Sequence, residues 1–268
     1  MRGSSADAMA ALTDELLAQA DKGDPARIAD DLFAVSDLLR RAPTLRRVAT
    51  DVSVAAEAKS DLLRGLVQEQ IDPASMTLLE KAVGLRWSET RDLGDALDHL
   101  AVIAVVKDAE RTGAADRLED ELFEFGRIVE VNPELRDALS DRTRSVEDKR
   151  ALARGLLEGR AAPFTVRLVE QALTGTFRTV PLALETYRKI ASTHRNRLVA
   201  VVRVANELGD GEQRRLESAL TGQYGREVHV HVRLDPDVIG GIKVEIGDDV
   251  IDGTVASRLH EARRRLAG

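Results

Sequence analysis

The stretch PARIADDLFAVSDLLRRAPTLR, residues 25–46, has a counterpart further along the chain, ADRLEDELFEFGRIVEVNPELR, residues 115–136. The same shift of 90 residues aligns 23–101 with 113–191 without a gap. This alignment contains 20 identical pairs among 79, whereas random pairing at average composition gives about 5 or 6. Prolines and glycines match as well as apolar residues, which a shared helical bias would not produce. The sequence therefore indicates two copies of one fold.

Both copies have the apolar spacing of helices. Between 117 and 131 the apolar residues recur three or four apart, on one face of a helix. We predict helices over 5–21, 25–41, 44–50, 55–68, 73–88 and 91–111, and in the second copy over 116–131, 134–140, 146–158, 163–177 and 180–197. The helix over 91–111 can serve both bundles. Trp87 and Phe177 take equivalent helix positions, and Gly65 and Gly155 allow close packing or helix termination.

The last 70 residues follow a different pattern. RLVAVVRV (197–204) is rich in β-branched residues, 210–222 is an amphipathic helix, and EVHVHVRL (227–234) alternates strictly between apolar and polar residues. IKVEI (242–246) forms another strand, followed by a hairpin turn at 247–249 and a final basic helix. The predicted order is β-α-β-β-β-α.

These patterns predict a mainly α fold with a small α+β C-terminal module: two tandem helical bundles followed by a β-α-β-β-β-α domain. We predict three domains: an extra helical bundle over 1–94, a second helical bundle over 95–196 and the small α+β domain over 197–268.

Composition narrows the function. The chain has 268 residues, a net charge of −7 and no cysteine. The negative charge argues against a general nucleic-acid binder, and the absence of cysteine excludes disulfides and thiolate chemistry. The longest aliphatic runs, 101–106 and 198–202, fall far short of the roughly 20 residues that span a bilayer. We therefore expect no nucleic-acid partner and no transmembrane segment.

No pattern in the sequence predicts a reaction centre. Phosphate loops of the GxxxxGK[ST] kind are absent. His229 and His231 share a strand face and could hold a metal, but further ligands are not apparent, so a solvated sheet face is the favoured interpretation. Gly240 and Gly241 are interpreted as a turn or bulge. We predict no catalytic residue, no metal and no cofactor, which is typical of a binding or scaffolding protein.

One string identifies a family. DPDVIGGIKVEIGDDVIDGTVASRLHEARRRL (235–266) resembles the C-terminal signature of the delta subunit of F-type ATP synthase, whose mitochondrial counterpart is the oligomycin-sensitivity-conferring protein. The matching residues are Asp235, Pro236, Ile239, Gly240, Gly241, Gly247, Asp248, Ile251, Asp252, Gly253, Arg258 and Leu259. Residues 132–157 and 193–202 are also similar to this family, and 1–94 are extra relative to its short form.

The resemblance implies a non-catalytic stator, or peripheral stalk, subunit. Such a subunit binds alpha subunits of the catalytic head and the b subunit of the membrane-anchored stalk, and lies peripherally on the cytoplasmic side of the cell membrane. The family binds the alpha segment between the first and fifth helices of the bundle. By position, that groove comprises Ala101, Ala104, Val105, Val166, Val169, Leu173 and Phe177. The same residues could instead be core.

Two alternatives stay open at this stage. A helical-repeat adaptor unrelated to ATP synthase would explain the duplication but not the C-terminal string. An enzyme with a small α/β catalytic domain would need a nucleophile, a metal cluster or a phosphate loop.

Overall fold

The computed structural model describes residues 3–254, apart from 142, 175–176, 196, 207, 226, 236–237 and 247–248. The chain divides into two compact units, Met1–Ser192 and Thr193–Gly268. The first is helical and the second combines a sheet with a helix. The mainly α fold with a small C-terminal α+β module is thereby confirmed.

The helices of the first unit recur in the order that the repeat predicts. They are α1 (Ser4–Ala20), α2 (Pro25–Arg41), α3 (Pro43–Thr50), α4 (Ala56–Val67), α5 (Pro73–Gly84), α6 (Asp92–Arg111), α7 (Ala115–Val131), α8 (Pro133–Ser140), α9 (Val146–Leu157), α10 (Pro163–Ala172) and α11 (Val180–Arg195). A proline in the first turn begins α2, α3, α5, α8 and α10, where its missing N–H costs nothing.

The packing of the helices is duplicated as well. In the first copy α1 packs on α5, α2 on α3 and α4 on α5. After a shift of 90 residues the equivalent pairs, α6 on α10, α7 on α8 and α9 on α10, are also in contact.

Helix α6 belongs to both copies. A 90-residue shift places α1 on 94–110, inside α6, and places α6 on 182–201, overlapping α11. Accordingly, α6 packs against α1, α2 and α3 on one side and against α7 and α10 on the other. All six residues from 101 to 106 are fully buried, which one apolar stripe on a helix cannot produce. The predicted sharing of this helix is confirmed.

The predicted three-domain division stays a prediction. The two predicted bundles fall together in one compact unit, and the proposed cut between 94 and 95 lies inside α6. The second unit begins at Thr193 rather than at residue 197.

Two details of the helical prediction are wrong. Helices α5 and α10 end at Gly84 and Ala172, so Trp87 and Phe177 lie beyond them. The Trp87 indole N–H donates to the carbonyl of Ala82 at 2.9 Å, and so satisfies an acceptor at the helix end. Gly65 and Gly155 lie inside α4 and α9 with open space around them, so neither close packing nor helix termination explains them.

The second unit contains a four-stranded sheet in the order β2-β1-β3-β4, built from β1 (Arg197–Val204), β2 (Glu227–Leu234), β3 (Ile242–Ile246) and β4 (Asp249–Asp252). β1 and β2 are parallel, joined through helix α12 (Asp210–Tyr224), and the other pairs are antiparallel. Ile246 pairs with Asp249 in the antiparallel β3–β4 ladder, whereas Gly247 and Asp248 of the predicted turn at 247–249 lie outside the described residues. The predicted final helix lies outside the described residues.

The core of the second unit lies between the sheet and α12. Val228 and Val230, on the predicted apolar face of β2, are buried there with Leu220 of α12. The alternation of β2 and the amphipathic pattern of α12 thus predicted which sides meet.

Candidate partner-binding surfaces

The predicted groove residues lie mostly in the core. Ala101, Ala104, Val105, Val169 and Leu173 are buried, and Val166 and Phe177 are partly exposed. In this structure, therefore, five of the seven predicted groove residues belong to the core. Their role in binding a partner stays a prediction, and it requires this part of the helical unit to open.

Helix α2 of the first copy explains part of this burial. It packs along α6. Its Asp30 carboxylate accepts two hydrogen bonds from the guanidinium of Arg167 on α10, at 2.5 Å and 3.2 Å. Arg111 at the end of α6 reaches Asp24, the N-cap of α2, at 3.4 Å. Because α2 contacts both α6 and α10, the first copy lies against the two helices that would form the groove.

One ion pair marks where the first copy differs from the second at the equivalent surface. Glu15 on α1 and Lys81 on α5 form an ion pair at 3.0 Å. Their counterparts in the second copy are Val105 and Gln171, both buried. The two copies therefore differ at a position that is buried in the second copy and partly exposed in the first. A carboxylate at position 105 would be desolvated, which is costly.

In both copies a carboxylate on the second helix, α2 or α7, accepts hydrogen bonds from the start of the fifth helix, α5 or α10. In the first, Asp31 accepts from the N–H of Asp72 and the hydroxyl of Ser75, both at 2.8 Å. In the second, Glu121 accepts from the N–H of Ala162 at 2.9 Å and from the hydroxyl of Thr165. These bonds satisfy donors at the first turn of α5 and α10. Such contacts build the fold, and they offer nothing to a ligand.

A buried polar cluster joins the copies. Asp98 on α6 binds Arg40 of α2 at 2.6 Å and accepts from the side-chain amide of Gln171 on α10 at 3.2 Å. Burial raises the pKa of Asp98 to about 6, although Arg40 and Ser36 oppose the shift. A cavity of about 300 Å³ adjoins this cluster. Its lining residues are Asp95, Asp98, His99, Val102, Phe177, Thr186, Tyr187 and Ile190.

A groove between α7 and α11 is open to solvent. Its volume is about 160 Å³, and it is lined by Leu122, Phe123, Gly126, Arg127, Glu130, Pro181, Leu184, Glu185 and Arg188. Phe123 is 56% exposed, and the guanidinium of Arg188 lies 5.5 Å from the centre of its ring. No motif in the sequence predicted this groove. A comparison of charges between the copies at these positions would have indicated it.

Four of the described family-signature residues, Asp235, Gly241, Asp252 and Gly253, make contacts within the second unit. A Cβ on Gly241, whose φ is +81°, would lie 2.5 Å from the carbonyl oxygen of Gly253, so this close approach requires glycine. The carboxylate of Asp252 accepts from the N–H and hydroxyl of Thr254 at 3.0 Å and 2.7 Å. Asp235 pairs with Arg203 at 3.6 Å.

The remaining signature residues differ in placement. Gly240 is partly exposed and Ile251 is exposed, whereas Pro236, Gly247, Asp248, Arg258 and Leu259 lie outside the described residues. The side chains of His229 and His231 lie outside the described part as well.

The described residues show neither a metal-binding cluster nor a membrane-spanning helix. No group of three or more histidines, cysteines or carboxylates is placed to hold a metal ion among them. Within the same part of the chain, no helix combines the length and apolar character needed to cross a membrane.

Comparison with known proteins identifies relatives over the whole chain. An ATP synthase subunit delta of Nocardioides sp. is 53% identical over 274 residues, covering 100% of this chain and 98% of the relative. That of Streptomyces avermitilis is 46% identical over 268 residues, covering 99% and 98%. That of Acidothermus cellulolyticus is 44% identical over 273 residues and covers all of both chains.

A solved structure and a family model were also matched. The cryo-EM structure of the Toxoplasma gondii mitochondrial ATP synthase hexamer shares 15% identity over 62% of this chain and 95% of that chain, with a TM-score of 0.29, too low to bear on the fold. The model of the ATP synthase delta (OSCP) subunit family matches residues 102–266. With full-length relatives of the same kind, this match shows that the chain belongs to the ATP synthase delta (OSCP) subunit family.

Proposed function

We propose that this protein is the stator subunit that links the catalytic head of a proton-translocating F-type ATP synthase to its membrane-anchored stalk. Its partners are alpha subunits of the head and the b subunit of the peripheral stalk. By resisting rotation of the head, it couples proton flow to ATP synthesis. The subunit itself is non-catalytic, and it lies on the cytoplasmic side of the cell membrane, held there by its partners.

One observation carries the proposal. The relatives named ATP synthase subunit delta align with the chain from end to end, including the additional first copy. A helical-repeat adaptor outside the synthase would not be expected to retain such a relationship in both its helical and its α+β parts.

The architecture supports a connecting role. The chain has two compact units of different construction, and a connector needs at least two independent surfaces. Two modest interfaces in one tether also raise the effective concentration of each partner, which suits a joint under repeated torque.

Isolation from native membranes tests the partners. The tagged full-length chain is purified gently from solubilised membranes, washed at high salt, and its companions are identified. We expect alpha, beta and b subunits. Other partners without any synthase subunit would overturn the proposal and favour the adaptor.

A second experiment tests coupling. Membrane vesicles that retain the synthase but lack this chain should hydrolyse ATP without acidifying the vesicle interior. Addition of the purified chain should restore proton pumping. Full pumping without the chain would contradict the stator role, and ATP hydrolysis by the purified chain alone would contradict the non-catalytic assignment.

A further inference from the structure

Two surfaces related by the 90-residue shift differ in what covers them. The first-copy face comprises Asp30, Phe33, Asp37 and Arg40 on α2 with Asp98 on α6. The second-copy face comprises the equivalent positions, Asp120, Phe123, Arg127 and Glu130 on α7 with Arg188 on α11.

Helix α10 reaches the first-copy face through two polar side chains. Its Arg167 donates to both carboxylate oxygens of Asp30, and Gln171, one turn later, donates to Asp98. Phe33, one turn from Asp30, is only 6% exposed. One helix face carrying Arg167 and Gln171 therefore meets two carboxylates of this surface, whose aromatic residue is buried.

The second-copy face retains the aromatic residue, and no helix among the described residues covers it in the same way. Phe123 is 56% exposed and Leu182, beside the groove, is 49% exposed. An exposed aromatic side chain that lines a groove between two helices, with a further exposed apolar residue adjacent in sequence to one of the lining residues, is typical of a site for a third helix. Since the same fold holds a helix at the equivalent place, the geometry of such a site is already present in this molecule.

The charges on the two faces are inverted. Asp37, Arg40 and Asp98 of the first-copy face correspond to Arg127, Glu130 and Arg188 of the second. Asp30 is unchanged as Asp120. In the second copy, Arg127 and Arg188 each pair with a glutamate on their own helix, and guanidinium groups have further donors for an additional acceptor. The inversion therefore changes which helix would fit.

We propose that the second-copy face binds one α-helix of a different protein, in the position that α10 takes on the first-copy face. This helix carries apolar residues for Phe123, a basic residue facing Asp120 and, one turn later, an acidic residue facing Arg127 and Arg188. The inference rests on the proposed function in one respect, because the partner is a helix of the catalytic head.

A second copy of this chain does not fit the same face. Its α10 is engaged within its own helical unit, and the equivalent helix α5 presents Thr77 in place of Arg167 and Lys81 in place of Gln171. Thr77 supplies no charge for Asp120, and Lys81 would meet Arg127 and Arg188 with the same sign. A partner with an acidic residue at that position is favoured instead.

Binding of the full-length chain to the purified catalytic head tests the proposal. Phe123→Glu and Arg188→Glu should each weaken binding by at least about tenfold, whereas Arg188→Lys should stay within about twofold because it keeps the charge. Leu66→Glu is the matched control, since Leu66 is an exposed apolar residue on α4 of the first copy. It should bind like the wild type. Circular dichroism verifies that each variant is folded.

The outcomes separate this inference from the proposed function. If the wild-type chain does not bind the head, the proposed function fails. If the wild type binds and both Phe123→Glu and Arg188→Glu bind equally well, the second-copy face is not the site, while the stator role stands. If the chain alone dimerises in sedimentation and Phe123→Glu abolishes the dimer, the occupant is a second copy and the proposal is overturned.

Discussion

At the scale of single residues, the duplication is most evident in polar contacts. Asp31 and Glu121 differ in length, yet each accepts from a backbone N–H and a hydroxyl at equivalent positions. Arg27 and Arg117 pair with them at 3.2 Å and 2.6 Å. Such bonds fix the position of a helix start, so their retention in both copies reflects a shared requirement of the fold.

Removing the Glu121 carboxylate should destabilise the helical unit. We expect Glu121→Ala to lower the free energy of unfolding by about 1–2 kcal/mol, because donors at the start of α10 lose their acceptor. Urea denaturation followed by fluorescence of Trp87, the chain's single tryptophan, reports on this unit. Glu130→Ala, exposed on the same helix, should leave the midpoint unchanged. Equal midpoints for both variants would contradict the prediction.

Glu121 should also make the stability of the helical unit depend on pH. Burial opposes its ionisation, but bonds from Thr165, Ala162 and Arg117 lower its pKa below the ordinary 4.5. Its contribution is therefore complete above that value and is lost as the pH falls through the lowered pKa. The difference between wild type and Glu121→Ala should shrink on acidification.

The contribution of Asp98 to stability should change with pH in the opposite direction. Its pKa is raised from 3.8 to about 6, so the folded chain retains a proton that the unfolded chain has released between these values. Its contribution to stability should fall as the pH rises through this window, by about 3 kcal/mol, and stay constant above it. Urea denaturation of wild type and Asp98→Asn from pH 4 to 7 measures this. A difference that stays constant with pH would contradict the assignment.

At the scale of elements, glycines with different surroundings should respond differently to the same substitution. Gly241→Ala places a Cβ against the backbone of Gly253 and Thr254, which follow β4, and we expect a loss of at least about 2 kcal/mol in the second unit. Gly155→Ala, in the open interior of α9, should instead stabilise the first unit by up to about 1 kcal/mol.

Thermal unfolding distinguishes these two effects. With Gly241→Ala, far-ultraviolet circular dichroism should show an earlier transition while Trp87 fluorescence keeps its midpoint. With Gly155→Ala, the Trp87 midpoint should rise. A shift of the Trp87 midpoint by Gly241→Ala would mean that the two units do not unfold independently.

At the scale of the whole molecule, the shared helix makes the first copy part of the support of the second. Removal of 1–94 would take away α1, α2 and α3, which pack on α6, together with the first turn of α6, which begins at Asp92. We expect the fragment 95–268 to self-associate and to bind a hydrophobic dye, because it would expose apolar residues of α6. Size-exclusion chromatography and dye fluorescence measure this, with the full-length chain as the control. A monomeric fragment that binds no dye would show that the two bundles are independent domains.

The sequence by itself determined the fold class, the duplication and most helix and strand positions. These follow from local periodicity, from prolines at helix starts and from turn residues, which act over a few neighbours. It also predicted that α6 serves both bundles, since a match at 90 residues places two helix roles on one segment. The C-terminal string indicated the family for the same reason, because its glycines and aspartates stand at fixed spacing.

Only the tertiary structure decided which surfaces are covered. Val105 and Val169 were predicted to line a groove, yet they are buried, and the apolar character that suggests a binding surface is equally that of a core. Phe33 and Phe123 occupy the same position in the repeat, but Phe33 is buried and Phe123 stays exposed. Local sequence cannot distinguish such residues, because burial depends on which distant helix packs against them.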